Sequence, residues 1–396
     1  MAMKGLIRTT LFCLRHMPPT CTIRIASFPH VNSAWSRFYS EQLLDTKKPE
    51  SNENQSLLSN LEYMGVDITM ARKRQPGILK KMITHEESLR KFLQSKGASR
   101  ETIASIISRY PRAITRTYEH LQKKWEIWQS ILKTDLHILK IVERSPESFF
   151  RSGDIENLQE NISFLSSLGL TPKDLSQLLA KAPRTFSNRA ELNKQMVYFL
   201  QDLHVCLGGE NPQEFVKQII TKNIFILIRS TKRLKANIEF IQSTFKMMDK
   251  ELLLWIQGSG ADILDLCNTY IKRNYKNVQQ KLHSLGCTEN EITRIITSYP
   301  SILYLSPVNF LVKIDLLLKR GIGIDLVLET PRVLEVSVDN IKSRIDDLKE
   351  IGYNFEVNGI GILVLSQTSQ VQDCAHLHTL RHRAQSKCCI TSRGHP

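Results

Sequence analysis

One motif recurs along this chain at fixed offsets and constrains its fold more than any other feature. Ile103, Ile106 and Ile107 precede Pro111, and Ile114 follows it. Ile138, Ile141 and Val142 stand in the same places before Pro146, with Phe149 after it. Leu175, Leu178 and Leu179 precede Pro183 and Phe186; Ile292, Ile295 and Ile296 precede Pro300 and Leu303. Two further copies keep the apolar positions without the proline. Val216, Ile219 and Ile220 lead to Ile224 and Leu227, and Leu252, Trp255 and Ile256 lead to Gly260 and Ile263. Pro76 and Pro331 mark weaker copies at the two ends. The anchors at 76, 111, 146, 183, 224, 260, 300 and 331 stand 31 to 41 residues apart.

The i, i+3, i+4 spacing is one face of an α-helix. Ser99, Thr134, Thr171 and Thr288 each stand four residues before the first apolar position and read as N-caps. Thr288 with Glu291 predicts a capping box, and Pro172 suits the first helical position. Each anchor proline then ends its helix, because it pushes the preceding residue out of the αR region and lacks a backbone donor. The apolar residue three places on predicts a short third turn. Upstream lies another amphipathic helix, as in Leu89, Phe92 and Leu93 before Gly97, or Ile162, Phe164, Leu165 and Leu168 before Gly169. One such unit cannot bury its apolar face alone, so neighbours must stack. The expected fold is all-α, a superhelical α-solenoid of about eight three-helix repeats over residues 61–366. A coiled coil is disfavoured, since proline interrupts every helix pair.

Lys and Arg number 54 against 39 Asp and Glu, a formal net charge of +15. Such a balance favours a polyanionic partner. The positive charge also follows the repeat. Two residues before the anchor stand Arg74, Arg109, Arg144, Lys181 and Lys222, then Gly258, Ser298 and Glu329. Directly after the anchor come Arg112, Arg184 and Arg332, and five after it Arg116, Arg151 and Arg229. In a stacked array one repeat position is one stripe, and a basic stripe is an electrostatic track for a phosphate backbone. A solvated helix end accounts for any single arginine; the recurrence argues for the track. With helices ~8–10 Å apart, eight repeats cover on the order of 70 Å, roughly 20 base pairs. A monomer of that length suits a long site.

The first forty residues hold Lys4, Arg8, Arg15, Arg24 and Arg37 and no acidic residue. That composition predicts a mitochondrial transit peptide over 1–39, with Arg37-Phe38-Tyr39-Ser40 as the processing region. Residues 40–60 read as a polar linker. No apolar run approaches the ~18 residues that span a bilayer, so no membrane insertion is expected. The eight cysteines, Cys13, Cys21, Cys206, Cys267, Cys287, Cys374, Cys388 and Cys389, form no CxxC and no disulfide frame. The tail places Cys374 near His376 and His378 without zinc spacing. No P-loop, Rossmann, HExxH or G-x-S-x-G motif occurs, so nothing points to catalysis, a cofactor or a metal.

The segments MGVDITMARKRQPGIL, GASRETIASIISRYPRAITRT, ERSPESFFRS, APRTFSN, LNKQMV, STKRLKANIEF and TPRVLE closely resemble the mTERF family of mitochondrial transcription termination factors, in register over about residues 60–366. The resemblance implies a left-handed solenoid that binds double-stranded mitochondrial DNA as a monomer in the mitochondrial matrix nucleoid. It implies a site in the leucine tRNA gene beyond the 16S ribosomal RNA gene, partial unwinding, base flipping and a block to the polymerase. Mitochondrial RNA polymerase is therefore a candidate further partner. The matching base-stacking residues are Arg144, Phe225 and Tyr270, whose π faces can replace lost base stacking. The matching base readers are Arg151, Arg184, Arg233 and Arg332, since a guanidinium pairs bidentately with guanine. Arg109, Arg112, Arg116, Lys181, Arg229 and Lys232 would hold phosphates and set affinity. Read without the family, Phe225 and Tyr270 equally suit a core.

The resemblance stops near Gln367. Where the family ends in a basic capping helix with another base-contacting arginine, this chain has Ser369 and a tail, 367–396, with no apolar period, expected to be poorly ordered. Arg381, Arg383 and Lys387 offer generic phosphate attraction there. Two other readings stay open: a mitochondrial RNA-binding or ribosome-assembly protein of the same repeat fold, and a solenoid that binds only protein.

Overall fold

The computed structural model describes residues 53–151 and 155–365. The expected transit peptide, the linker up to residue 52, and the tail of 367–396 with Ser369, Cys374 and its histidines lie outside them. Among the described residues every element is helical. They form nine repeats of one plan: a first helix, a second helix and a short closing turn. The series runs from Gln55–Tyr63, Ile68–Arg74 and Pro76–Ile78 to Val338–Glu350, Phe355–Asn358 and Gly361–Val364.

Two details differ from the sequence expectation. The ninth repeat lies beyond the eight anchors; its second helix is a single turn, and glycine stands in the anchor position. Residues 55–60, assigned by composition to the linker, are helical. Asn54 caps that helix by accepting from the Leu57 amide, and Leu57 and Leu61 supply the buried face.

The chain divides into two compact parts between Thr231 and Lys232. Where the repeat pattern alone suggests one domain over 61–366, five repeats belong to the first part and four, beginning with Thr231–Phe245, to the second. The division falls at a seam between repeats.

Local chemistry explains the plan. Ser99 and Thr134 accept from the Thr102 and His137 amides, and Thr171–Asp174 and Thr288–Glu291 form full capping boxes. The residue before each anchor proline is bent the same way: Tyr110 at φ −139°, ψ 72°, Ser145 at −138°, 67°, and Tyr299 at −135°, 70°. This is the pre-proline restriction acting as a hinge. Asn223, before Ile224, adopts φ −111°, ψ 84° without a proline, and its Oδ1 accepts from the Phe225 amide. At Gly260 a Cβ would stand 2.2 Å from the Trp255 ring, so that repeat requires glycine. Between first and second helices the chain turns through a left-handed residue. Gly97 has φ +91° there, and Lys133 and Lys246 take φ +70° and +52° in the two repeats without a glycine at this place.

The closing turns of the first eight repeats bury the apolar residue three places after the anchor: Leu79, Ile114, Phe149, Phe186, Leu227, Ile263, Leu303 and Leu334. Four of these turns are also pinned by a buried polar side chain set into the apolar face of a first helix. Asn161 donates to the Asn188 carbonyl at 2.8 Å; Asn237 donates to Leu264 and Leu266 at 2.8 and 2.9 Å. Asn274 donates to Leu303 and Leu305 at 2.8 and 2.9 Å, and the Lys313 ammonium to Leu334 at 2.6 Å. Asn193 bonds back to Thr185 of the preceding repeat at 2.9 Å. All five are buried. A buried polar group needs partners, and the closing-turn carbonyls are orphans that need donors, so each satisfies the other.

Candidate nucleic-acid interface

The second helices of the first five repeats each carry a cation in their last turn: Arg74, Arg109, Arg144, Lys181 and Lys222. Those of the second part carry none. A cation there complements the helix dipole, which is one reason for its place. Two of these residues also cross a seam in the same way. The Arg109 Nη2 donates to the Glu143 carbonyl, and the Arg144 Nη2 to the Ala180 carbonyl. Both acceptors lie three residues before the next anchor. Arg144 stays exposed, and one bond leaves most of its five N–H donors available.

A second crossing involves the closing turns. The half-buried Arg116 guanidinium donates from Nε to the Phe150 carbonyl at 2.9 Å and from Nη2 to the Arg151 carbonyl at 3.0 Å. Burial lowers its pKa from the usual arginine value, with Arg112 acting in the same direction. The neighbourhood is dense in charge. Burial pushes the Tyr110 phenol up, Arg112, Arg116 and Arg151 pull it down, and Glu147 acts with the burial. The Tyr110 ring stacks at 6.5 Å on Phe150. The structure thus gathers Arg112, Arg116 and Arg151 about one tyrosine. Arg116, expected among the phosphate ligands, spends two donors on the backbone that carries Arg151.

Arg151 makes an ion pair, Nη1 to Glu147 Oε1 at 3.2 Å. By contrast, among the described residues Arg109, Arg112, Arg116, Arg144, Lys181 and Arg184 form no ion pair with a carboxylate. Arg112, Lys181 and Arg184 are exposed, and Arg229 is partly buried. Phe225, at 41% exposure, opens the turn Ile226–Ile228 instead of entering the core.

In the second part, Lys232 is exposed and Arg233 partly buried; the Arg233 charge helps lower the Cys267 thiol pKa, mainly set by the Thr269 hydroxyl. Tyr270, three residues on, is half-buried. Its hydroxyl donates to the Tyr304 carbonyl at 2.7 Å, and the Arg273 guanidinium lies 5.1 Å from its ring centroid. Arg332 is exposed; the Tyr299 phenol is pushed up by burial and by its bond with Glu335, and the Arg332 charge opposes that shift.

Sequence reasoning missed Glu147 and Arg273. Glu147 had a visible signal, being an acid at the position where Arg112, Arg184 and Arg332 stand; Arg273 had none. The described residues hold no cluster of His, Cys, Asp and Glu able to bind a metal and no helix long and apolar enough to cross a membrane.

A family model described as mTERF matches residues 58–369. The chain belongs to the mTERF family. Its helical-repeat solenoid is the fold of that family. Transcription termination factor 1, mitochondrial, of Homo sapiens is 55% identical over 315 residues, 80% of this chain and 79% of the relative. Transcription termination factor 1a, mitochondrial, of Mus musculus is 53% identical, covering 82% of this chain and 86% of its own length. A more distant mTERF relative, transcription termination factor 2, mitochondrial, of Homo sapiens, is 31% identical over 78% of this chain and 80% of the relative. The mTERF match takes in all nine repeats except the first residues of the Gln55–Tyr63 helix.

Proposed function

We propose that this chain is a mitochondrial transcription termination factor that grips double-stranded DNA through the basic positions of its repeats, working as a monomer in the matrix nucleoid. The observation that carries the reading is the repeated seam contact, Arg109 to Glu143 and Arg144 to Ala180. It sets guanidinium groups at a regular repeat position with no carboxylate to neutralise them. Such a series suits the regular phosphate spacing of a duplex.

In this reading Arg112, Lys181, Arg229 and Lys232 bind phosphates, with Arg109 and Arg116 adding charge while bracing the seams. Arg151, Arg184, Arg233 and Arg332 read base edges. The duplex is partly unwound, and Arg144, Phe225 and Tyr270 stack on everted bases. Each stack offsets part of the unstacking cost of a few kcal/mol. A base on Tyr270 meets a ring that already carries Arg273, and a cation over a π face strengthens the pile. The bound protein then obstructs the polymerase in the leucine tRNA gene beyond the 16S ribosomal RNA gene.

Footprinting of the full chain on mitochondrial DNA tests this. A protected segment in that gene, with the affinity falling steeply as salt rises, is the expected result. Binding that salt leaves unchanged overturns it. Duplex RNA of the same sequence, competing as well as DNA, would transfer the reading to an RNA-binding role.

A further inference from the structure

The position after the anchor carries Arg112, Arg184 and Arg332 in three repeats, but Glu147 in the repeat of Pro146. An acid in a basic stripe works against binding a phosphate backbone. It is also placed on a particular partner. Its Oε1 lies 3.2 Å from Nη1 of Arg151, and the two side chains are 54% and 46% exposed. Both therefore face solvent side by side. From behind, Arg116 ties down the Phe150 and Arg151 carbonyls, so the pair projects from a braced turn.

The pair as a whole has no net charge, so it gains little from phosphate. Its donor and acceptor pattern fits something else. In the major groove a G·C pair presents guanine N7 and O6 as acceptors and, beside them, the cytosine N4 amine as a donor. A T in place of C presents a carbonyl oxygen and a methyl group, which a carboxylate rejects. The geometry points to Arg151 and Glu147 as one reading unit for a G·C base pair: the guanidinium donates to guanine, and the Glu147 carboxylate accepts from cytosine N4. Glu147 is thereby a specificity-determining residue that lowers affinity for unspecific DNA. The inference rests on the duplex-binding reading above.

The test uses the full chain and a duplex carrying the leucine tRNA gene segment, with each G·C pair exchanged in turn for A·T. For the unaltered protein one exchange should weaken binding about ten- to a hundredfold through this pair. Arg151→Ala should remove the sensitivity at that position. Glu147→Gln should reduce it at the same position at least several-fold, and should steepen the salt dependence on unspecific duplex by about 0.9 in log–log slope as Arg151 turns to a phosphate. Glu147 is exposed, so a matching thermal melt certifies the fold of the variant. A Glu147→Gln profile and salt slope identical to the unaltered protein overturns the inference, as does a loss at a position that Arg151→Ala does not share. If Arg151→Ala itself shows no positional loss while the duplex still binds, the base-reading role of Arg151 fails and the pair with it. A chain that binds no duplex overturns the function itself.

Discussion

The Arg116 guanidinium donates to the Phe150 carbonyl at 2.9 Å, so a residue at the close of one repeat fixes the closing turn of the next. The same side chain holds the Arg151 carbonyl at 3.0 Å. A planar fork suits two neighbouring acceptors; an ammonium does not. Arg116→Lys should therefore keep the charge and bulk salt dependence but lose sequence discrimination. Arg116→Ala should also lower stability by about 1–3 kcal/mol, as charged hydrogen bonds to two backbone carbonyls are lost. Urea unfolding and binding to matched and scrambled duplexes measure both effects. Equal discrimination by Arg116→Lys and the unaltered chain would dismiss the bracing role.

Lys181 and Arg184 are expected to separate affinity from specificity. Lys181→Ala should weaken all duplexes alike and flatten the log–log salt slope by about 0.9. Arg184→Ala should cost about 1–3 kcal/mol on the specific site and much less on unspecific DNA. Titrations at several salt concentrations on both duplexes give the comparison.

Arg144, Phe225 and Tyr270 are expected to act on the distorted duplex. Replacing all three by Ala should reduce transcription termination at least tenfold while duplex affinity falls much less, because phosphate contacts dominate affinity. A fluorescent base analogue at the positions expected to evert should report the stacking directly. Parallel losses of termination and affinity would remove the base-flipping role.

Asn274 pins two carbonyls from a buried position. Asn274→Leu fills the space but leaves Leu303 and Leu305 without that donor. It should lower stability by about 1–3 kcal/mol. Chemical denaturation is the measurement, and a variant as stable as the parent would show the pin to be dispensable.

Lys124 brings a pH dependence. Its ammonium is buried in the first part, 5.5 Å from the Phe149 ring centroid, and burial pushes its pKa down to about 7, with Arg116 adding repulsion. The unfolded chain keeps that proton up to 10.5. Between these values the unfolded state binds more protons, so stability from this group rises with pH from about 7 towards 10.5 and is lowest below 7. The slope is on the order of 1 kcal/mol per pH unit. Lys124→Met should flatten the rise in urea midpoint between pH 7 and 10; an unchanged slope would assign it elsewhere.

Much of the fold was legible because periodicity and proline chemistry act locally. Ile103, Ile106 and Ile107 announce a helix face, and Pro111 announces its end, whatever surrounds them. The ninth repeat was not legible, since Phe355–Asn358 is too short for a period to show. The pins were hidden for the opposite reason: Asn237 or Asn274 inside an apolar face reads as a flaw until the carbonyls it meets are known. Gly260 looked like a lost proline, whereas the Trp255 ring above it excludes any side chain. At the site, the ladder of charge was visible from repeat position alone. Which donors go to main-chain carbonyls was not, because Arg109 and Arg116 meet acceptors 34 residues away, across seams that only the packing defines.

That short reach has a consequence for how the molecule comes into being. The bonds that tie neighbouring repeats join residues 34 apart for Arg116 and Phe150, and 42 apart for Trp255 and Thr297. Contacts of such modest separation need little chain to close. A polypeptide threaded through a narrow translocation channel can therefore rebuild itself repeat by repeat as it emerges, without waiting for its far end.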